Sequence, residues 1–282
     1  MSALIRRTLM AAAKRRASTP PLLAAHAAYL DAAYGQRRLF SGNAVAAMRV
    51  RRASDNAEQD IGWVGNALDA SALTAFCAGT QGFVTTLYDQ GPNGYHMRQS
   101  NPARQPIVVS GGVWLGSIQF DGIDDYLVTA QLSTNNAKQV ATFNGKLYDH
   151  VRRWPDNNAM PFFYGTSYTL AANGGVVHNA HPVGWEQYQD YGNAFAVYSV
   201  VYDGAFADPP SGLALIKNGV SVPPSATIGS NPANLPGLYQ MAIAAHFDGT
   251  LCAPSTLAEL VVHRARTSEV QVPDIHALLG QP

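Results

Sequence analysis

The chain has 282 residues, a formal net charge of zero and a charged fraction of 13%, about half the usual share. This length suits one large domain or two small ones, and the neutral balance excludes a strong overall field that would select a partner. Abundant glycine (25) and proline (17) favour strands, turns and long loops over a helical bundle. No run of about 18 apolar residues is present, so no transmembrane helix is predicted.

Charge is distributed unevenly along this neutral chain. Residues 1–52 contain ten Lys and Arg and one acid, whereas the remainder contains nine basic and eighteen acidic residues. The first part therefore carries a net charge of +9 and the remainder −9. A cationic N-terminal segment of this kind predicts contact with an acidic partner.

The first 31 residues are predicted to form a basic helical arm. Residues 2–16 favour a helix that Ser2 can cap, and "STPP" ends it because tandem prolines cannot continue a helix. A second helical stretch is predicted over residues 22–35. The apolar run "LMAAA" is too short for a secretory signal peptide, which needs roughly 7–15 apolar residues. Docking is assigned to the basic side chains of the arm, namely Arg6, Arg7, Lys14, Arg15 and Arg16.

From about Tyr34 the pattern changes to short strands separated by turn residues. "AVAAMRVRRAS" and "GFVTTLYDQG" read as strands, and a helix lies between them, with Asp69 as N-cap and Gly79 as its stop. Residues 54–61 are predicted as a loop in which Asp55 or Asp60 makes structural hydrogen bonds. Strands at similar spacing continue to the C-terminus without βαβ alternation, which favours two antiparallel sheets packed face to face.

The two cysteines, Cys77 and Cys252, are too few for a disulfide framework. Two reduced, buried thiols are the preferred interpretation, and one bridge is the alternative.

Three segments resemble the concanavalin A-like, laminin-G-like jelly roll. They are the turn "IQFDGIDDYL", the Asn-Gly hairpin "LALIKNGVSV" and the closing strand "TLAELVVHRARTSEVQ". The resemblance implies an all-β, two-sheet jelly-roll sandwich over residues 32–282, preceded by the helical arm of residues 1–31.

A narrower resemblance is to the catalytic domain of the α-L-arabinofuranosidase B group, glycoside hydrolase family 54. It is carried by "RVRRASDNAEQDI", "ALTAFCAGTQGFVTTLYDQGPNG" and "FFYGTS", and it is expected to extend over roughly residues 32–280. Domains with this pattern also occur in bacteriophage and prophage structural proteins.

The resemblance implies where catalytic groups would lie. The family acid is an Asp eleven positions before the Glu of the closing strand, which corresponds to Asp248 and Glu259. The family nucleophile lies in a Glu-Asn-Gly turn that this chain lacks, and the nearest candidate is Glu186. The family's paired cysteines are absent from "MPFFYGT", where Phe163 replaces a pocket Asp. The alternative for Asp248 is a turn-capping role before Gly249.

Other side chains suggest binding sites, each with a structural alternative. Sugar stacking is assigned to aromatic residues in polar loops, or else these residues pack in the core; they are Trp154, Trp185, Tyr188 and Tyr191. A Ca²⁺ site would use Asp121, Asp124 and Asp125, although turn hydrogen bonding is the preferred interpretation. The scattered histidines lack the spacing of zinc ligands. No other metal and no cofactor is expected.

The sequence therefore predicts a virion structural protein, in a tail, a fibre or a head decoration, with a carbohydrate-binding, host-recognition role and an eroded glycosidase site. The alternative is an active α-L-arabinofuranosidase-like hydrolase with Asp248 as general acid. The expected partners are other virion subunits, reached through residues 1–31, a host-surface glycan and further copies of the chain, but neither nucleic acid nor membrane. The expected location is the virion, which reaches the exterior after host lysis.

Overall fold

A computed structural model describes the chain over most of its strands. The described residues are 23–40, 46–130, 132–134, 138–147, 160–165, 168–173, 176–181, 184–189, 195–203, 213–223, 226–229, 237–239, 241–245, 252, 254–263, 275 and 277–279. The predicted docking residues of the arm and the predicted site residues Trp154, Tyr191 and Asp248 lie outside this set. None of the helices in the described ranges is long and apolar enough to cross a membrane.

Strands dominate the described part of the chain. In chain order they are β1 (Leu30–Gly35), β2 (Met48–Arg52), β3 (Glu58–Ile61), β4 (Trp63–Val64), β5 (Ala67–Leu68), β6 (Gly82–Leu87), β7 (Met97–Arg98), β8 (Ile107–Ser110), β9 (Val113–Asp121), β10 (Leu127–Thr129), β11 (Leu132–Thr134), β12 (Lys138–Leu147), β13 (Met160–Gly165), β14 (Tyr168–Asn173), β15 (Val176–His181), β16 (Gly184–Gln189), β17 (Ala196–Asp203), β18 (Leu213–Lys217), β19 (Val220–Val222), β20 (Ala226–Gly229), β21 (Gly237–Tyr239), β22 (Met241–Ile243) and β23 (Pro254–His263). Helix α1 spans Ala70–Phe76, and 3₁₀ helices span Ala24–Tyr29 and Pro102–Arg104.

The strands form two antiparallel layers, which confirms the predicted jelly-roll-like sandwich. Sheet I has the order β19–β18–β17–β12–β23, and β1 and β9 share the other edge of β23. Sheet II runs β3–β2–β6–β7–β10–β22–β13–β14–β15–β16–β20.

Strand β8 connects the two sheets, because it pairs with β6 of sheet II and with β9 of sheet I. The register between β8 and β9 shifts between Ile107 and Val109, and Gly116 on β9 has a φ of +76°. Such a bulge bends a strand and increases its twist, and a positive φ is accessible to glycine without strain. The chain can therefore pass from one layer to the other without losing the ladder.

Apolar side chains of both sheets meet in one core. From sheet I it includes Phe143 and Tyr198, whose rings stack with centroids 5.2 Å apart. From sheet II it includes Met48, Leu127 and Ile243, all almost fully buried. Because successive strand residues point to opposite faces, this core uses one face of each sheet.

The opposite face of sheet I is covered by segments from both ends of the described chain. A second buried cluster joins Val261 of β23 and Ala33 of β1 to Leu23, Ile275 and Leu279. The Leu23 amide also donates to the carbonyl of Leu39 at 2.7 Å. Both faces of β1 and of most of β23 are therefore buried.

The structure corrects the helix predicted over residues 22–35. Only Ala24–Tyr29 is helical, as a 3₁₀ turn, and Leu30–Gly35 is the strand β1, paired with β23. Small apolar residues such as those of "LDAAYG" suit either state, and tertiary pairing with burial on both faces selects the strand. Leu23, Leu30 and Asp31 therefore belong to the sandwich, and its boundary lies upstream of residue 32.

Several local predictions are confirmed. Asp69 caps α1 by accepting the Ala72 amide at 2.9 Å, and both cysteines are free and buried. Asn218 and Gly219 have φ values of +48° and +80°, as a type I′ hairpin requires. Residues 54–61 are only partly a loop, because Glu58–Ile61 pairs with β2 as β3.

The "FDGIDDY" turn joins β9 to β10 through its own carboxylates. Asp121 Oδ1 accepts the amides of Ile123, Asp124 and Asp125, and Asp125 Oδ2 accepts the Asp121 amide at 3.1 Å. These are the turn hydrogen bonds that the sequence favoured. Burial, followed by the neighbouring Asp121 carboxylate, raises the pKa of Asp125 to about 7.

One buried ion pair joins sheet I to the C-terminal segment. Arg37 donates to both carboxylate oxygens of Glu259, at 2.5 and 2.8 Å, and its Nη2 also donates to the carbonyls of Leu278 and Leu279. The Glu259 side chain is 3% exposed and that of Arg37 is 25% exposed. Asn144 adds a second donor to the Leu279 carbonyl at 3.1 Å. Residues distant in sequence are thus held together at one point.

We expect Arg37→Met to destabilise the fold by about 3 kcal/mol at pH 7, because it leaves the buried Glu259 carboxylate without its cation. The loss should shrink as the pH falls towards 4, since protonation removes the unpaired charge. Urea unfolding of both proteins at several pH values measures this. The matched control is Arg49→Met, which breaks the exposed pair with Asp60 and should cost less than about 1 kcal/mol. Equal losses in the two variants would contradict the importance assigned to the buried pair.

Asp125→Asn should flatten the dependence of stability on pH between about 4 and 7. In this window the folded protein keeps a proton on Asp125 that the unfolded chain releases, so stability falls as the pH rises. The slope should decrease by up to about 1.4 kcal/mol per pH unit in urea titrations. Asp55→Asn is the control. The pKa of the exposed Asp55 is lowered to about 2, so this substitution should change the slope of stability against pH only below about pH 4. An unchanged slope in Asp125→Asn would refute the assignment.

Candidate functional site

The carboxylate that follows β6 in the "YDQG" segment organises a loop. Asp89 is almost fully buried and accepts the amides of Ala33, Gly91 and Tyr95 at 2.7–2.9 Å. Burial raises the pKa of Asp89, and these three amides oppose that rise. The Asp89 amide in turn donates to His96 Nδ1 at 3.0 Å. The carboxylate therefore fixes the path of residues 89–96.

The neighbouring amide side chain ties the same loop to the start of the sandwich. Gln90 is fully buried; its Oε1 accepts the amides of Leu39 and Phe40, and its Nε2 donates to the carbonyls of Gly35 and Arg37. Asp89 and Gln90 thus hold β1 and the segment after it against β6. Their contacts give them a structural role.

The "RVRRASDNAEQDI" segment is also held by internal ion pairs. Arg49 binds Asp60 through two hydrogen bonds at 2.7 and 2.9 Å, and the Tyr88 hydroxyl donates to the same carboxylate. Arg52 binds Asp55 in the same two-point manner. The structural hydrogen bonds predicted for Asp55 and Asp60 are confirmed. These motif residues build the scaffold.

A cleft of about 540 Å³ opens beside the loop that Asp89 organises. It is lined by residues 94–96 and 98–100 on one side and by residues 126 and 128–130 on the other. The two sides meet where β7 pairs with β10, with Val128 opposite Arg98. The volume lies within the roughly 300–1,000 Å³ of typical ligand sites.

The walls of the cleft are supported from behind. The Tyr34 hydroxyl donates to the Tyr95 carbonyl, and the Tyr95 amide donates to Asp89. Gln99 Nε2 donates to the Tyr126 carbonyl at 3.3 Å, which joins the two sides. The Thr129 hydroxyl accepts the Met241 amide at 2.9 Å. These bonds fix the backbone of both walls.

The cleft is electropositive. None of the described residues that line it is acidic, and Arg98 is exposed and makes no ion pair with them or with the rest of the described ranges. Burial lowers the pKa of His96, and the positive charge of Arg98 lowers it further against the opposing effect of Asp89. The His96 ring is therefore neutral near pH 7. Since its Nδ1 accepts the Asp89 amide, its proton is on Nε2.

The carboxylates of the β9–β10 turn are the predicted Ca²⁺ ligands. Their oxygens lie within 4.8 Å of one another at Asp121, Asp124 and Asp125. Asp121 Oδ1 is already occupied by three turn amides, and Asp125 is largely protonated below about pH 7. Both features weaken a site for a cation that needs six to eight oxygen ligands. Calcium binding stays a prediction.

The structure places the predicted sugar-binding residues of "GWEQYQ" in strand β16, not in a loop as the sequence suggested. Pairing with β15 and β20 holds this polar segment as a strand, and a pairing of this kind has no local signal in the sequence. Sugar stacking by Trp185 and Tyr188 stays a prediction.

Residues that lie directly opposite each other on successive strands form rows that run across sheet II. One row joins Ile243, Phe163, Leu170, Asn179 and Glu186. A second row joins Arg98, Val128, Ala242, Tyr164, Thr169, Ala180 and Trp185. The predicted nucleophile Glu186 thus belongs to the row of the core residue Ile243, and Trp185 belongs to the row that starts at the cleft.

The cleft is the feature that sequence analysis did not identify. Its residues lie in "NGYHMRQS", where the buried Met97 alternates with the more exposed His96 and Arg98. That alternation after an Asn-Gly turn is a weak signal for a two-faced strand. The partners across the cleft lie about thirty residues later, and only the pairing of β7 with β10 brings them together.

Comparison with known proteins identifies a related catalytic domain. The sequence profile of the family described as "Alpha-L-arabinofuranosidase B, catalytic" matches residues 17–113, about a third of the chain. α-L-Arabinofuranosidase B of Aspergillus niger is 35% identical over 88 residues, which cover 30% of this chain and 16% of that protein. The arabinofuranosidase/B-xylosidase of Trichoderma koningii is 36% identical over 83 residues, which cover 29% and 15%.

Solved structures extend the likeness at the level of the fold. An arabinofuranosidase in complex with arabinofuranosyl-α-1,2-xylobiose aligns with a TM-score of 0.66 and 16% identity, covering 92% of this chain and 64% of that one. A family 54 α-L-arabinofuranosidase soaked with a cyclic sulfate inhibitor gives a TM-score of 0.65 with the same coverage.

The sequence match is therefore narrower than the expected residues 32–280, whereas the fold match covers nearly the whole chain. The matched stretch contains the residues with structural roles described above, from Arg49 to Gln90, and one wall of the cleft. It ends before Glu186 and Asp248. The chain thus resembles the catalytic domain of α-L-arabinofuranosidase B in sequence over residues 17–113, and it has the same sandwich fold.

Proposed function

We propose that this sandwich is a glycoside hydrolase of the α-L-arabinofuranosidase type. The observation that carries the proposal is the combination of two likenesses to one enzyme class, a sequence match to its catalytic domain and a shared fold over 92% of the chain. Because the chain covers only 64% of the aligned enzyme structure, the activity of the whole relative does not transfer by itself.

In this proposal Asp248 is the general acid and Glu186 is the second carboxylate. Retention of configuration requires the two carboxyl groups to lie about 5–5.5 Å apart. Glu186 lies four strand-to-strand steps from Ile243 at the end of β22, about 19 Å across a flat sheet. Asp248 follows Ile243 by five residues, an extended reach of up to about 17 Å. The two groups can therefore meet if the segment after β22 turns across sheet II.

Glu259 is not a candidate for either catalytic role. Its carboxylate is held by both nitrogens of the Arg37 fork and is buried behind sheet I. The spacing of eleven residues from Asp248 to Glu259 still supports the proposal. In the family pattern the catalytic Asp lies eleven positions before the Glu of the closing strand, and here Glu259 is the carboxylate of β23.

We expect Asp248→Asn and Glu186→Gln each to lower kcat/KM for 4-nitrophenyl α-L-arabinofuranoside by at least about 100-fold, because each removes a group that transfers a proton or forms the intermediate. Release of 4-nitrophenolate measures the rate, and circular dichroism checks folding. Asp190→Asn is the matched control, a carboxylate near Glu186 with no assigned role. Loss of activity in Asp190→Asn but not in Glu186→Gln would overturn the choice of second carboxylate.

A second candidate is a non-catalytic virion subunit that binds a host glycan. It is favoured by the composition of β13, which has Met160, Pro161 and Phe163 where the family has paired cysteines and an Asp, and by the missing Glu-Asn-Gly turn. In this candidate residues 1–22 dock the sandwich through their basic side chains.

Removing residues 1–22 should then prevent incorporation into particles while the unfolding midpoint of the isolated protein stays unchanged. Removing residues 1–31 should also unfold the sandwich, because it deletes Leu23 and the start of β1. Particle sedimentation and thermal unfolding distinguish the two deletions. Normal incorporation without residues 1–22 would exclude the docking role.

A further inference from the structure

The cleft between β7 and β10 offers two nitrogen donors without acceptors. The exposed Arg98 guanidinium makes no hydrogen bond or ion pair within the described ranges, and neither does His96 Nε2–H. By contrast, three other arginines of this sandwich are bound to carboxylates, namely Arg37, Arg49 and Arg52. An unpaired guanidinium that lines a cleft can bind a carboxylate through two parallel hydrogen bonds.

The remainder of the lining suits a sugar ring. Tyr95 and Tyr126 contribute half-buried aromatic side chains, and Ser100 contributes an exposed side chain with a hydroxyl group. Aromatic faces with a few fixed polar groups are the usual composition of small-molecule sites. The supporting bonds of Asp89, Tyr34 and Gln99 hold the backbone of these walls in place before any ligand binds. Such preorganisation lowers the entropy cost of binding.

We propose that the cleft binds a uronic acid residue of an acidic polysaccharide, with the sugar carboxylate held by Arg98 and by His96 Nε2–H. The inference rests on the proposed function, since it names the substrate class of the same sandwich: an arabinofuranosyl-bearing polysaccharide with uronic acid units. It assigns a positioning role to Arg98, which holds a part of the substrate distant from the bond that breaks.

The test is calorimetric titration of the full chain with xylotetraose, with xylotetraose bearing one glucuronic acid, and with trigalacturonate. Wild-type protein should prefer an acidic oligosaccharide, and Arg98→Gln should weaken its binding by about tenfold or more, as expected for loss of a charge-assisted contact. Xylotetraose should bind both proteins equally. The control Arg104→Gln removes the same charge from a residue that does not line the cleft, and it should bind like wild type.

Hydrolysis of 4-nitrophenyl α-L-arabinofuranoside, which has no carboxylate, should be unchanged in the control Arg104→Gln. Equal affinity for acidic and neutral oligosaccharides, or equal losses in Arg98→Gln and Arg104→Gln, would overturn the proposal. Displacement of the acidic oligosaccharide by equimolar sodium sulfate would also overturn it, since the site would then recognise charge alone. Binding that depends on Arg98 in a protein without hydrolase activity would refute the proposed function but support this site.

Discussion

The ion pair between Arg37 and Glu259 stabilises a charge in a place that water hardly reaches. Burial alone raises the pKa of Glu259, and the two-point contact with Arg37 opposes that rise. The same guanidinium donates to two carbonyls of the C-terminal segment. The contact therefore joins β1, β23 and the cover of sheet I, and the second apolar cluster can exclude water only where this cover is in place.

The residues that carry the likeness to an arabinofuranosidase have structural roles in this protein. Asp89 and Gln90 fasten β1 to β6, and the pairs of Arg49 with Asp60 and of Arg52 with Asp55 lock β2 to its neighbours. A shared pattern of this kind preserves a fold, because each of these side chains satisfies backbone groups or charges that the fold itself creates. Function must be argued from other residues, and the proposed acids Glu186 and Asp248 lie outside the matched segment.

Much of the fold was predictable from the sequence because its signals are local. Asp69 before α1 and Asn218–Gly219 between β18 and β19 fix their neighbours by geometry that one or two residues determine. The segment of Leu30–Gly35 was not predictable in the same way, since its small apolar residues fit a helix or a strand until β23 pairs with it. The pairing of Arg37 with Glu259, 222 positions apart, has no local signal at all. The cleft was missed for the same reason, because its walls become neighbours only through strand pairing.

Strand β23, the last of the described strands, pairs with β12 along one edge and with β9 and β1 along the other. Among the described strands, β1 has no other strand partner than β23, whereas β12 also pairs with β17 and β9 with β8, so each of these two keeps one edge unpaired until β23 is made. During that interval their unpaired backbone groups can pair with other chains, which is the usual route to aggregation. Loops that close over more than two hundred residues also slow folding, since their entropy is lost before the contacts form. The soluble yield of this protein in a foreign cell should therefore depend on how long β1 waits for β23, and slower synthesis or a holding chaperone should raise that yield.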